Sequence, residues 1–177
     1  MPMNNGVESM GAGGTPFTCA VVTLSDKGAA GKREDTSGAA LMSILEKEGY
    51  SISRYVILPD DADVIVEEVL RLVDEEHVDL VVTTGGTGVA PTDVTPEAMR
   101  KIIEKEIPGM AEAMRSASLA KTPHAMISRA MAGIRRTSLI INLPGSRKGA
   151  VENIEVVLPA LRHALQKIKG DPAECGG

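Results

Sequence analysis

The residues best suited to chemistry gather around one short stretch, TTGGTGVAPTDVTPE, residues 83–97. Gly85, Gly86, Thr87 and Gly88 follow an apolar run directly, and Asp93 closes the loop. Without side chains in the way, successive backbone N–H groups can turn toward an anion. Asp60 ends another apolar run, in ILPDD. Two carboxylates beside an anion-binding loop could hold Mg²⁺ against a polyphosphate. Ser25 and Asp26 follow a further run, and Pro144, Gly145 and Ser146 yet another. Each feature also has a plainer reading. GGTG suits a tight turn after a core strand, and either aspartate alone suits a turn or a helix cap. The loop lacks the Lys-Ser/Thr of a P-loop and does not fit GxGxxG with an immediate helix.

The elements that must position these residues alternate along the chain. Phe17 to Leu24, Ser51 to Leu58, Val78 to Thr84 and Ser138 to Leu143 read as strands, the third apolar nearly throughout, as parallel strands covered on both faces are. Between them lies a helix from Gly38 to Gly49, capped by Asp35 or Ser37, and a second from Asp61 or Asp63 to about Glu76. Thr95 is the expected cap of a third helix, with Pro96 in its first position, running to about Glu106. Pro108 starts another, to about residue 120. Residues 121–137 predict a loop with a short strand near Gly133 to Arg135. The last helix carries an apolar stripe from Ile154 to Ile168, and Pro159 is expected to kink or split it. This order predicts a doubly wound α/β domain with a mainly parallel sheet. In such a sheet ligands bind beyond the carboxyl ends of the strands, where all four loops above would meet.

Bulk properties narrow the classes. The 177 residues suit one domain, here 17–169, between tails 1–16 and 170–177 whose composition predicts disorder. Phe17, Tyr50 and Tyr55 are the only aromatic residues and net charge is −5, which argues against a nucleic-acid surface. No apolar run approaches the ~20 residues of a membrane span. The start of the chain is unlike a signal peptide. Cys19 and Cys175 are the only cysteines, with no zinc-type spacing, so a reducing, cytoplasmic setting is expected. His77 and His163 read as helix-surface residues, and His124 falls in the ambiguous 121–137 stretch. Met99, Met110 and Met114 read as core filler, and Lys101 to Glu106 as a solvated, charge-paired face.

Several blocks together resemble one family. TTGGTGVAPTDVTPEA, EIPGM, MISRAMAGIR and SLIINLPGSRKGAVENIEVVLPAL, with SDKGAAGKREDTSG and ILPDD, are similar to the molybdopterin adenylyltransferases, in family order across residues 17–169. That family takes in bacterial MogA-type proteins and the G domains of plant molybdenum-insertion proteins and of gephyrin. The resemblance implies a three-layer α/β/α fold, a homotrimer, and transfer of AMP from ATP to the terminal phosphate of molybdopterin. Pyrophosphate is released, Mg²⁺ is required, and the product passes toward molybdate or tungstate insertion. By resemblance Asp60 is tied to Mg²⁺ and catalysis, and Asp93 to molybdopterin handling. Ser128 and Asn142 fall at the pterin or nucleotide pocket, and Gly85 to Gly88 and Pro144 to Ser146 cradle phosphate and nucleotide. Many relatives carry arginine where this chain has Thr36 and Thr92, so Lys27, Arg129, Arg147 and Lys148 become candidates for the missing phosphate contacts. Competing readings are a MoaB-like protein that binds molybdopterin with little or no adenylylation, a scaffold module, and a CinA-type hydrolase domain.

Overall fold

A computed structural model describes residues 15–172. Most of both expected tails, and Cys175, lie outside the described residues. Six strands form one sheet: β1 (Thr18–Leu24), β2 (Ser51–Leu58), β3 (Leu80–Thr84), β4 (Lys105–Glu106), β5 (Ala132–Arg135) and β6 (Ser138–Leu143). Their order is β2-β1-β3-β6-β5-β4. β2, β1, β3 and β6 run parallel, and β5 and β4 add an antiparallel edge.

Alternation along the strands splits the core in two. Val21, Val82, Leu139 and Ile141 face α2 (Thr36–Lys47), α5 (Pro108–Leu119) and α6 (Arg147–Ile168). Val22, Val81 and Ile140 face α3 (Ala62–Leu70) and α4 (Thr95–Ile102). Successive side chains point to opposite faces, so a doubly apolar strand needs helices on both sides. The three-layer α/β/α fold expected from the sequence is therefore the fold observed. Met99 and Met114 are fully buried and Met110 nearly so, as expected of core filler.

Five local expectations are corrected. The loop after β1 holds a short helix, α1 (Asp26–Ala29), capped by Ser25. α4 ends at Ile102, and Lys105–Glu106 is not helix face but edge strand, with Lys105 opposite Ile134 and Glu106 opposite Gly133. Its charged, exposed side chains give no apolar pattern to read, yet such residues suit an edge that must not recruit another strand. Thr95 does not cap α4: it is fully buried, and its hydroxyl donates to Gly85 O at 2.9 Å. Of the kink or split expected at Pro159, the split does not occur, and α6 continues through it as one helix of 22 residues. The stripe Ile154, Val157, Leu161 and Leu165 is buried in the core, and this packing outweighs the lost hydrogen bond. His77 sits after a π-helical turn (Arg71–Glu75) with φ 54°, not on a helix surface.

Candidate active site

The parallel strands β1, β2, β3 and β6 deliver Leu24, Leu58, Thr84 and Leu143 to one edge of the sheet. Two chambers open there. The first, of about 510 Å³, has Thr87, Gly88, Arg115, His124, Ser128 and Lys148 in its wall. The second, of about 400 Å³, is lined by Ser25, Asp35, Thr36, Asp60, Gly85 and Arg147 among others. Gly86, Asp93, Gly145 and Ser146 belong to both and form the seam between them.

The seam is built on a turn that only glycine tolerates. Gly85 has φ +110° and Gly86 φ +65°. A Cβ on Gly85 would lie 2.3 Å from Leu24 O, and one on Gly86 2.4 Å from Thr95 Oγ1. Positive φ and contact with neighbouring atoms both exclude a side chain here. The turn is pinned from both sides: Gly85 N donates to Leu143 O at 3.0 Å and Thr95 N to Gly86 O at 3.1 Å. The burial of Thr95 follows, since its hydroxyl is what holds the first glycine carbonyl.

Asp60 and Asp26 are paired through their backbones. Asp26 N donates to Asp60 Oδ2 at 3.1 Å, and Asp60 N donates to Asp26 Oδ1 at 2.9 Å. The remaining oxygen of Asp60, Oδ1, comes within 3.4 Å of the position a Gly86 Cβ would take. Burial pushes the Asp60 carboxyl above the usual range; the Asp26 N–H opposes this, and the charges of Asp26 and Asp93 add to it. Asp93 folds back on its own turn, Oδ2 accepting from Ala90 N at 2.8 Å beside Gly88. Among the described residues no ion pair engages Asp26, Asp60 or Asp93, and no group of three or more potential ligands forms a closed metal cage. This donor set suits a hard cation that keeps most of its ligands on substrate oxygens and water.

Asp35 organises the far wall of the second chamber. It caps α2 by accepting from Gly38 N at 2.9 Å, and its other oxygen accepts from Thr23 Oγ1 at 2.5 Å and Tyr55 Oη at 2.6 Å. Burial would raise its pKa, but the bonds from Thr23, Tyr55, Gly38 and Ser37 outweigh it and hold the carboxyl below its usual range. Ser37 Oγ donates to Gly145 O at 3.0 Å and Thr84 Oγ1 to Pro144 O at 2.7 Å. Ser146 caps α6 by accepting from Gly149 N at 3.1 Å. The first turns of α2 and α6 thus converge on one chamber, where their backbone N–H groups favour anions.

The residues singled out in the sequence divide as follows. Ser25, Asp60, Gly85 to Gly88, Asp93, Ser128 and Pro144 to Ser146 all line one or both chambers. Asn142 does not. It is fully buried in β6, donating to Thr83 Oγ1 at 3.0 Å and accepting from Met131 N at 3.2 Å. Of the candidate cations, Arg147 lines the second chamber, Lys148 the first, and neither Lys27 nor Arg129 lines either. Thr36 lines the second chamber, whereas exposed Thr92 lines neither. Arg115 on α5 and Lys121 in the turn after it, both in the wall of the first chamber, were not legible as site residues, because the sequence gives no sign of which face of α5 meets the seam.

A family model described as a probable molybdopterin binding domain matches residues 20–163. The molybdopterin adenylyltransferase of Helicobacter pylori strain J99 is 43% identical over 155 residues, 85% of this chain and 87% of that protein. That of Haemophilus influenzae is 41% identical over 77% of this chain and 71% of that protein. Among solved structures, the MoaB molybdopterin biosynthesis enzyme of Thermus thermophilus is 45% identical with a TM-score of 0.83, covering 89% of this chain and 99% of that one. With matches of this extent, the chain belongs to the molybdopterin-binding domain family of molybdenum cofactor biosynthesis.

Proposed function

We propose that this chain is a molybdopterin adenylyltransferase, joining AMP from ATP to the terminal phosphate of molybdopterin. The observation that carries the reading is the seam: two chambers of substrate size meet at Gly86, Asp93, Gly145 and Ser146, with the Asp60 carboxyl beside it. A reaction between two bound substrates needs such a meeting point. An oxygen of the molybdopterin phosphate attacks the α-phosphorus of ATP, the new P–O bond forms, and the bond to the β-phosphate oxygen breaks. Pyrophosphate takes the electron pair and leaves. No protein nucleophile is required, so the site needs positioning and charge neutralisation, as in phosphoryl transfer.

The residues divide that work. Backbone N–H groups at the starts of α2 and α6 offer donors to phosphate oxygens, and Arg147 adds a positive charge beside them. Asp60 and Asp93, with Asp26 alongside, would hold Mg²⁺, and carboxylates that form no ion pair among the described residues fit that role. Bound there, the ion would neutralise charge on the phosphates. Mg²⁺ dependence, a homotrimer, a cytoplasmic location and onward transfer to a molybdenum-insertion protein belong to the same reading, supported by the family membership. Incubation of the protein with molybdopterin, ATP and Mg²⁺ should yield adenylylated molybdopterin by mass spectrometry. Molybdopterin binding without product would favour a MoaB-like binding protein instead.

A further inference from the structure

Arg129 was a candidate for a substrate phosphate contact, but its side chain is already committed. Nε donates to Gly88 O at 2.7 Å, Nη2 to Asp93 O at 2.7 Å, and Nη1 to Glu97 Oε1 at 2.5 Å. Its backbone N donates to Thr87 O at 2.8 Å. The loop's other bonds are internal: Asp93 N to Ala90 O, and Ala90 N to Asp93 Oδ2. Among the described residues, every hydrogen bond that ties residues 87–93 to another part of the chain comes from Arg129.

We propose that Arg129 is a positioning residue that holds Gly88 and Asp93 at the seam between the chambers and does not itself bind substrate. Its guanidinium is a planar fork whose donors reach three acceptors at once, two of them main-chain carbonyls on the loop that carries Asp93. A lysine ammonium at this place keeps the charge but is a point donor on a flexible stem and cannot span the same three acceptors. The charge is also spent: Glu97 is its counter-ion, and the Arg129 bond is the main reason the Glu97 carboxyl sits below its usual range. Released from Arg129, the loop would keep its internal turn but lose its placement, and misplacement of a reacting group by ~1 Å can cost about 10²-fold in rate.

This inference rests on the adenylyltransferase reading for its kinetic test, so a second readout stands apart from activity. Arg129→Ala and Arg129→Lys are expected to lower kcat alike, by about 10- to 10²-fold. The KM values for ATP and molybdopterin should stay within about threefold, and guanidinium ion should partly restore Arg129→Ala. Amide hydrogen exchange at residues 88–93 should quicken in both variants while the core strands stay protected. Should Arg129→Ala not fold, the Lys variant carries both measurements. A Lys variant that keeps wild-type kcat, with KM raised tenfold or more in the Ala variant, would overturn the proposal in favour of a phosphate contact. Unchanged exchange at residues 88–93 would overturn it as well. Wild-type protein that makes no product would sink the adenylyltransferase reading alone, and the exchange experiment would still decide the role of Arg129.

Discussion

Asp79 and Asp60 occupy opposite ends of the same sheet and have opposite electrostatic fates. Asp79, at the amino end, accepts from Thr18 N at 2.8 Å and Thr18 Oγ1 at 3.0 Å and pairs with Lys169 Nζ at 2.5 Å. Burial pushes its pKa up, but Lys169 and Thr18 outweigh burial and hold the carboxyl below its usual range. Asp60, at the carboxyl end, has no cationic partner among the described residues, and burial, with the charges of Asp26 and Asp93, raises its pKa. Asp79 is satisfied by Thr18 and Lys169, whereas Asp60 accepts only from the Asp26 backbone N–H among the described residues.

The largest expected effect contrasts these two positions. Asp60→Asn should lower adenylylation by about 10²- to 10³-fold, the scale of losing one stabilising group at a transition state, while the fold persists. Asp79→Asn should leave activity within about threefold and cost about 1–2 kcal/mol of stability by weakening the Thr18 and Lys169 bonds. Product assays and denaturant melts of both variants check this.

Next in size is the seam itself. Gly86→Ala places a Cβ at φ +65° and against Thr95 Oγ1, so it should cost about 1–3 kcal/mol and reduce activity, read by urea denaturation and product formation.

The pH dependence sharpens the comparison by its sign. A depressed folded pKa means that Asp79 contributes stability above its unfolded pKa of about 3.9, lost as pH falls through its folded value. The raised folded pKa of Asp60 means the reverse: its contribution is full below the unfolded pKa and lost as pH rises through the folded value. In melts without ATP or Mg²⁺, Asp60→Asn should therefore be more stable than wild type at pH 7, with the gap closing toward pH 3. Asp79→Asn should be less stable at pH 7, with its gap closing as pH falls.

The smallest effect belongs to the antiparallel edge. Lys105→Ala changes an exposed side chain that forms no ion pair among the described residues and should stay within about 0.5 kcal/mol of wild type in the same melts.

How much of this was legible depended on the range of the interactions. The four parallel strands announce themselves as apolar runs bounded by turn residues, and their order with the helices forces Asp60, Asp93 and the Gly85 to Gly88 loop to one edge. Thr95 was misread because Ser/Thr before Pro at a helix start signals a cap, and its true partner, Gly85 O, exists only once the glycine turn has formed. Asn142 is placed at the pocket by family resemblance alone, and it lies inside β6, one residue before the strand ends. Its side chain instead joins β6 to Thr83 and Met131, contacts that depend on strand register. The hub at Asp35 needs Thr23 and Tyr55 from two strands, and Arg129 needs a loop that lies far from it in sequence. Local pattern finds the strand ends; it does not find what locks the loops above them.

The most direct test of the account is a single-turnover assay with molybdopterin, ATP and Mg²⁺, comparing wild type, Asp60→Asn and Asp79→Asn by mass spectrometry. The account predicts adenylylated molybdopterin from wild type and Asp79→Asn and at most about 1% of that rate from Asp60→Asn. Equal product from all three proteins would contradict the assignment of the reaction to the seam beside Asp60.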